Sequence, residues 1–265
     1  MRPSVIDVAV DAKLPYFKKS FATLLEQTNN DFEFLIVVGY PGDETRAFLA
    51  TQAPPFEMII IQEPLREAYP ARASANNMGL DAATGSVYIG TQDDVLYPPN
   101  WIESHIQRHA RDDGPWYVLN RVQGALTSGE LDEEDKFWGR ISNPRHLPIH
   151  SRWRYGSGHS FSLPMSVAKT LRHDERYNSC WGFEDCDFAY QAHLAGCKFV
   201  FNLDTRVVHQ NHGDRAVERR QKSKGDFMQW LKERSHNRWV FMDKWGFCPE
   251  YGTPYEPQYM LSSKE

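Results

Sequence analysis

A cluster of carboxylates in the second half of the chain is the clearest indication of chemistry. Residues 178–196 read NSCWGFEDCDFAYQAHLAG and place Glu184, Asp185 and Asp187 at the start of a helical pattern. Negative charge is favourable at a helix N-terminus because the helix dipole is positive there. The same position can hold a general base rigidly at the rim of a pocket. A capped surface helix is the alternative, since acidic residues are favoured at helix starts without any catalytic role.

A second acidic element favours the catalytic interpretation. Asp93 and Asp94 come directly after the apolar, strand-like residues 87–91, with Gln92 before them. Carboxylate oxygens suit Mg²⁺ or Mn²⁺, because both ions prefer oxygen-rich octahedral coordination that phosphates and water can complete. The two acidic elements together indicate a functional site rather than an isolated helix cap.

Four segments of the first half of the chain form a recognisable pattern: residues 21–28 (FATLLEQT), 31–38 (DFEFLIVV), 73–79 (ASANNMG) and 81–85 (DAATG). They resemble segments of the GT-A fold glycosyltransferases that use nucleotide sugars, especially those of the family-2 type. The first two resemble the first helix and the second strand of that family, and the last two resemble its Ala-Arg-Asn-x-Gly region.

Two further segments carry the chemical part of the resemblance. Residues 92–101 (QDDVLYPPNW) resemble the Asp-x-Asp motif and the Pro-Pro-Asp-Trp that follows it. Residues 181–187 (WGFEDCD), with Val208 and His209 after the next strand, resemble the Trp-Gly-x-Glu-Asp motif and the distal metal-binding histidine. The order and spacing of these motifs, over about residues 5 to 245, make the resemblance specific.

The resemblance implies the α/β GT-A (nucleotide-diphospho-sugar transferase) fold, in which helices flank a mostly parallel central sheet. It implies a hexosyltransferase-like enzyme that moves a sugar from a nucleotide-diphospho-sugar to a hydroxyl group of a saccharide or another acceptor. Family-2 type enzymes invert the anomeric configuration, so inversion is expected. The Trp-Gly-x-Glu-Asp signature also occurs in retaining relatives and does not itself decide the stereochemistry.

A divalent metal ion is the cofactor that the resemblance implies. The departing nucleoside diphosphate develops negative charge, which a cation stabilises as a Lewis acid. The resemblance assigns Asp94 and His209 as protein ligands of Mn²⁺ or Mg²⁺, and the imidazole favours Mn²⁺. A strand-end histidine that binds nothing is the alternative for His209.

The acceptor hydroxyl must lose a proton as it attacks, and a carboxylate within hydrogen-bond reach is the usual base. The resemblance assigns that role to Asp185 and implies that Glu184 orients hydroxyl groups. Asp187 fits a helix cap at least as well as a catalytic role. The residues expected to contact the donor are Asp11, Asp43, Arg72, Asn77, Gln92, Asp93, Trp181 and His212. A buried core tryptophan is the alternative for Trp181, and His212 is equally well explained without a phosphate contact.

The chain departs from the family pattern at the donor side. Gln92 replaces the first Asp of Asp-x-Asp, and a neutral amide is a poorer metal ligand than a carboxylate. Asp43 lies in the turn after the second strand instead of at its end, and the first strand leads to Asp11 without the usual Pro-Thr-x-Asn. The nucleotide therefore stays open, and so does a non-catalytic relative that binds sugars or nucleotides. The Gln-x-x-Arg-Trp motif of processive synthases is absent, so polymerisation is not expected.

The elements that position these residues follow from hydrophobic periodicity. Strands are predicted at 5–10, 32–38, 57–61 and 87–91, and helices at 16–26, 45–51 and 71–83. Such alternation predicts a mostly parallel sheet, whose ligands bind outside the carboxyl ends of the strands. In the second half, strands are predicted at 116–122, 199–203 and 206–209, an extended segment at 156–162, loops within 123–154, and an amphipathic helix at 226–245.

Composition limits the class of protein. The net charge of −5 argues against a globally basic nucleic-acid binder. No apolar run is long enough to cross a bilayer, and residues 1–7 lack the apolar core of a signal peptide. The four cysteines form no Cys-x-x-Cys pair, so reduced thiols and a cytoplasmic location are expected.

One domain is expected at residues 1–245, followed by an irregular tail at 246–265. A basic run, Arg215 to Lys224, raises one alternative acceptor class. Because basic side chains bind the phosphate backbone, a glycosyltransferase that acts on modified bases in DNA would explain both the run and the motifs. A solvated helix or lid is the simpler explanation of the run.

Overall fold

The computed structural model describes residues 1–64, 72–111, 114–124, 159–177, 183–210 and 236–246 of the chain. In the first half, strands and helices alternate as β1 (Pro3–Ala9), α1 (Leu14–Leu25), β2 (Glu33–Val38), α2 (Asp43–Ala50), β3 (Glu57–Gln62), α3 (Arg72–Ala82) and β4 (Val87–Thr91), with a 3-10 turn at Asp11–Lys13. The second half contains β5 (Val95–Leu96), α4 (Trp101–His109), β6 (Trp116–Gly124), β7 (Ser160–Pro164), α5 (Met165–Ala168), α6 (Glu184–Leu194) and β8 (Lys198–His209). A last helix, α7, covers residues 236–245.

The described strands form one eight-stranded sheet in the order β3-β2-β1-β4-β7-β6-β8-β5. The pairs β1–β2, β1–β4, β2–β3 and β6–β8 are parallel, whereas β7 is antiparallel to both β4 and β6. The predicted α/β class with a mostly parallel central sheet is therefore confirmed. The carboxyl ends of β1, β2 and β4 lie at the same edge, since the three strands run in one direction.

Helices cover both faces of the sheet because the side chains of a strand alternate between its faces. On β2, Phe34, Ile36 and Val38 belong to one core with α1 and α4, whereas Leu35 belongs to another core with α6 and α7. Every residue of β2 is buried, which explains why its sequence is apolar from Phe34 to Val38.

The two strands predicted at 199–203 and 206–209 are one strand, β8, and this prediction of separate strands was wrong. The pairing with β6 shifts by three residues, because Asn120 pairs with Asn202 but Arg121 pairs with Arg206. The bulge is held by buried side chains: Asn120 and Asn202 both donate to the Thr205 hydroxyl, at 2.7 and 3.0 Å. In the sequence, the polar residues of this bulge therefore resemble the end of a strand.

Several other predictions fall partly outside the described residues. These are the loops within 123–154, the start of the extended segment at 156–162 and the first half of the helix at 226–245; the described ends of the last two are β7 and α7. The tail at 247–265 also lies outside them. Within the described part of the chain, no helix is long and apolar enough to cross a membrane. Cys186 and Cys197 are buried free thiols.

A buried carboxylate fixes the amino-terminal ends of the first strands. Glu33 on β2 accepts hydrogen bonds from the Ser4 hydroxyl on β1 at 2.5 Å, from the amide and hydroxyl of Thr84 at 2.6 Å each, and from the Gly85 amide at 3.0 Å. Burial alone would raise the pKa of Glu33, but these hydrogen bonds outweigh it and hold the pKa below its ordinary value. Glu33 therefore ties β1 and β2 to the turn that leads into β4.

We expect Glu33→Gln to lower the free energy of unfolding at pH 7 by about 2 kcal/mol, because an amide group replaces an acceptor of charge-assisted hydrogen bonds. The stabilisation by Glu33 is present above the ordinary carboxyl pKa and is lost as the pH falls through the lowered folded value. The difference should therefore shrink in acid. Urea denaturation at several pH values measures it. Glu57→Gln, which removes an exposed ion pair with Arg2, is the matched control and should cost less than about 1 kcal/mol.

Candidate active site

A pocket opens at the edge of the sheet where the parallel strands end. Its lining combines Val8 of β1 and residues 88 and 90–92 of the β4 segment with Arg72 of α3 and with Glu184 and Asp185 of α6. Four of the predicted site residues therefore come together, although Arg72 and Gln92 lie far from Glu184 and Asp185 along the chain.

The aspartate pair that follows β4 lies beside this pocket and is held by a lysine. Asp93 and Asp94 are each 1% exposed. The Lys13 ammonium group donates to Asp94 Oδ2 at 2.7 Å and to Asp93 Oδ1 at 3.2 Å. Burial, and then the charge of Asp94, raises the pKa of Asp93 to about 6, although Lys13 and Arg72 oppose this shift. Sequence reasoning missed Lys13, because a lysine at the start of an amphipathic helix usually faces solvent.

Strand pairing brings His209 to the aspartate pair. The short strand β5 pairs antiparallel with the end of β8, so that Val95 lies opposite His209. The main chain of Asp94 accepts a 2.8 Å hydrogen bond from the Gln210 amide. As a result, His209 Nε2 lies 3.5 Å from Asp94 Oδ2.

The spacing of Asp94 and His209 suits two ligands of one divalent metal ion, although the same Asp94 oxygen accepts the hydrogen bond from Lys13. Two adjacent ligands of an octahedral ion, each at about 2.1 Å, lie about 3.0 Å from one another, close to the observed 3.5 Å. Among the described residues, no three His, Cys, Asp or Glu side chains converge on a metal position. Phosphate oxygens and water would therefore have to complete the coordination, as Mg²⁺ and Mn²⁺ sites at bound nucleotides commonly require.

Arg72 connects the two acidic groups of the pocket electrostatically. Its positive charge lowers the pKa values of Asp7, Asp93 and Glu184 relative to what burial alone would give. Asp7 on β1 was not among the predicted site residues. It is 1% exposed, and burial followed by the charge of Asp93 raises its pKa well above the ordinary value. No sequence pattern distinguishes Asp7, because a single acid in an apolar strand is ambiguous.

The start of α6 presents its two acids to different surroundings. Glu184 is 6% exposed, and burial followed by the charge of Asp185 raises its pKa to about 7. Asp185 is more exposed and accepts a 2.8 Å hydrogen bond from the Cys186 amide. Phe183, which precedes the helix, has a positive φ of 74°, a strained conformation that is typical of functional sites.

Asp187 has a structural contact instead of a cap. Its carboxylate accepts hydrogen bonds from Gln191 at 2.7 Å, Lys244 at 2.9 Å and the Trp245 indole at 2.6 Å. The residue at the N-cap position is Phe183. Asp187 therefore fastens α7 to α6, a role different from the helix cap that was weighed against a catalytic role.

Three other residues predicted to contact the sugar donor instead form hydrogen bonds or ion pairs with other residues of the protein. Asp11 accepts hydrogen bonds from the amide and hydroxyl of Thr45, at 2.9 and 2.8 Å, at the start of α2. Asp43 is exposed and forms an ion pair with Arg46. Asn77 exchanges two 3.0 Å hydrogen bonds with the main chain of His173. None of the three is among the described residues that line the pocket. Trp181, His212 and the basic run at 215–224 lie outside the described residues.

Comparison with known proteins identifies the family. Residues 4–166 match the sequence profile described as Glycosyl transferase family 2, which covers more than half of the chain. The chain belongs to glycosyl transferase family 2. Comparison with curated protein sequences finds no match.

Solved structures agree with this family at the level of the fold. S. aureus TarS 1-349 in complex with UDP-GlcNAc matches with a TM-score of 0.63 and 15% identity, over 82% of this chain and 61% of that one. GalNAc-T7 with UDP, GalNAc and Mn²⁺ matches with a TM-score of 0.62 and 14% identity, over 81% and 44%. The chain thus spans about half of the length of these proteins. The expected GT-A fold and glycosyltransferase family are confirmed.

The buried charge of Glu184 gives a prediction for this family-2 domain. A folded pKa raised from the ordinary value to about 7 means that stability is lost as the pH rises through that interval. Glu184→Gln imitates the neutral form. We therefore expect the variant to be more stable than the wild type at pH 8, on the order of 2 kcal/mol, and nearly equal at pH 4.5. Thermal or urea denaturation measures this, with the exposed Glu44→Gln as control. A pH-independent difference would mean that the Glu184 charge is not penalised by burial.

Proposed function

We propose that the domain is a metal-dependent glycosyltransferase that moves a sugar from a nucleotide-diphospho-sugar to an acceptor hydroxyl group, with inversion. The common pocket carries this proposal, because it joins the end of β4, beside the aspartate pair, to Glu184 and Asp185 of α6. The structures of TarS with UDP-GlcNAc and of GalNAc-T7 with UDP, GalNAc and Mn²⁺ support the donor class and the metal.

The aspartate side of the pocket is suited to the diphosphate. Asp94 and His209 would hold Mn²⁺ or Mg²⁺, which stabilises the charge of the departing diphosphate as a Lewis acid. Lys13 and Arg72 add two positive charges at this side, since Lys13 contacts both aspartates and the charge of Arg72 acts on Asp93.

The two acidic residues at the start of α6 have different roles. Asp185 is the more exposed of the two and lies where an acceptor can enter from solvent, so it takes the proton of the attacking hydroxyl group. Glu184 is buried, and its Oε2 atom has no hydrogen-bond partner among the described residues. It is therefore placed to bind a hydroxyl group of the substrate. A pKa of about 7 would also suit a general base, and the variants below separate the two assignments.

Incubation with a panel of nucleotide sugars tests the reaction itself. We expect release of nucleoside diphosphate from at least one donor with Mn²⁺, and none after the addition of a chelator. Asp94→Asn should weaken both Mn²⁺ and nucleotide binding, because it removes a charged ligand, whereas the exposed Asp81→Asn on α3 should not. If no donor is cleaved and no nucleotide shifts the melting temperature, the domain is a non-catalytic relative.

Asp185→Asn should keep donor binding and lower the transfer rate by about 10²–10⁴-fold, because the amide cannot accept the acceptor's proton. Glu184→Gln should mainly weaken donor binding. The opposite pattern would assign the base to Glu184.

NMR of the first product from an α-linked donor determines the stereochemistry. A β-linked product supports direct displacement with a single base. An α-linked product contradicts both inversion and the role of Asp185 as that base.

A further inference from the structure

One wall of the pocket contains buried polar atoms that lack partners. Tyr88 Oη, both ring nitrogens of His173 and Glu184 Oε2 are buried without a hydrogen bond to any described residue. Tyr88, His173 and Glu184 all line the same pocket. Buried polar groups in native proteins are nearly always hydrogen-bonded, so each exception requires an explanation. Three exceptions around one pocket indicate a ligand that supplies the missing partners.

We propose that Tyr88 and His173, together with Glu184, bind the hydroxyl groups of an uncharged sugar ring carried by the donor. This inference rests on the proposed function. It adds the class of donor sugar and two protein residues, Tyr88 and His173, that determine the specificity for that sugar. Neither Tyr88 nor His173 was among the residues expected to contact the donor.

The imidazole ring of His173 is held rigidly. An apolar ring would pack equally well at this position. Its imidazole stacks on the Phe188 ring with a centroid distance of 4.0 Å and an interplanar angle of 2°. Its main chain is fixed by the two hydrogen bonds with the Asn77 side chain. Burial, and then the charges of Lys244 and Arg172, lowers the pKa of His173 to about 3. The ring is therefore neutral at physiological pH and offers one donor and one acceptor, which matches the two-way hydrogen bonding of a hydroxyl group.

Tyr88 presents a neutral hydroxyl group beside an opening in the β4 backbone. Its ring packs edge-on against Phe161 and Phe188, with centroid distances of 5.3 and 6.0 Å. Burial, followed by the charge of Asp7, raises the pKa of Tyr88, so the phenol stays protonated. A Cβ atom at Gly90 would lie 3.0 Å from Tyr88 Oη and 2.4 Å from the Phe161 ring. Glycine thus leaves the space next to this hydroxyl group open.

The lining and charge of the pocket favour a neutral ring. Phe161 and Val8 give it apolar surface for the carbon-bound hydrogens of a sugar. Of the described residues that line it, only Arg72 is cationic, and the charge of Arg72 already acts on Asp7, Asp93 and Glu184. A sugar with a carboxylate would meet Glu184 and Asp185 without a second cation.

The position of the wall that contains Tyr88 and His173 indicates that it contacts the donor and not the acceptor. Gln92 belongs to the pocket and is directly followed by Asp93 and Asp94, where the diphosphate is proposed to bind. The ring attached to that diphosphate is therefore the one that reaches Tyr88 and His173. An acceptor ring would approach from the more exposed side at Asp185.

Two variants that keep ring shape test this inference. Tyr88→Phe and His173→Phe remove polar atoms and retain the aromatic packing. The control is Tyr177→Phe, because the Tyr177 hydroxyl is equally buried and unpartnered among the described residues but does not line the pocket. Calorimetry with UDP, UDP-GlcNAc and UDP-glucuronic acid, or the same set for the nucleotide that the donor panel selects, measures the dissociation constants.

We expect each variant to weaken binding of the neutral nucleotide sugar by about tenfold, with binding of the nucleoside diphosphate unchanged. The wild type should bind the neutral sugar donor more tightly than the uronic acid donor. Both variants should melt at or above the wild-type temperature, because each removes an unsatisfied polar atom, and Tyr177→Phe should not change any affinity.

Other outcomes contradict the inference in distinguishable ways. Unchanged sugar affinity in both variants, or an equal loss for the nucleoside diphosphate, would remove Tyr88 and His173 from the sugar site but leave the proposed function intact. A marked loss of stability would show that the atoms are satisfied within the protein. A raised KM for the acceptor with normal donor affinity would place the acceptor ring in this pocket. Failure of the wild type to bind any nucleotide or nucleotide sugar would refute the proposed function and the inference together.

Discussion

The site depends on the compensation of several buried carboxylates by two cations. Asp7, Asp93, Asp94 and Glu184 are each at most 6% exposed, and isolated carboxylates at such depth are strongly disfavoured. Lys13 contacts the aspartate pair directly, and the charge of Arg72 acts on Asp7, Asp93 and Glu184. Negative charge is thus concentrated where a cation and a diphosphate are proposed to bind. Arg72, the first residue of α3, and Lys13, the last residue of the 3-10 turn, compensate it.

The topology of the sheet makes this concentration unavoidable. Parallel β1 and β4 end at one edge, so the 3-10 turn with Lys13 and the aspartate pair become neighbours. The two-residue strand β5 then pairs with β8 and adds His209 to the same place. Replacement of one of these polar residues would leave its partners charged and uncompensated, which costs more than the pair contributes.

The sequence predicted most of the fold and the residues that come from continuous motifs. Strong periodicity predicted the elements of the first half. The motif resemblance pointed to Asp94, His209, Glu184 and Asp185, which the structure places in or beside one pocket. It could not identify Lys13, Asp7 or His173, because their importance comes from contacts with distant parts of the chain. A lysine at a helix start, an acid in a strand and a histidine in a loop have common structural explanations. The bulge in β8 was missed for a related reason, since its polar residues also bond to side chains from β6 and α4.

A single strand determines how the pocket is divided. Side chains of a strand alternate between faces, so Tyr88, Gly90 and Gln92 of the β4 segment lie on one side, and all three line the pocket. Tyr88 belongs to the neutral, aromatic wall with Phe161 and His173, whereas Gln92 leads directly into the charged aspartate pair. Gly90 between them cannot carry a side chain, because the Cβ atom would overlap the Phe161 ring. The two-residue period of β4 therefore separates a wall suited to an uncharged ring from a wall suited to a diphosphate. Because residue 90 has no side chain, the two walls belong to one pocket.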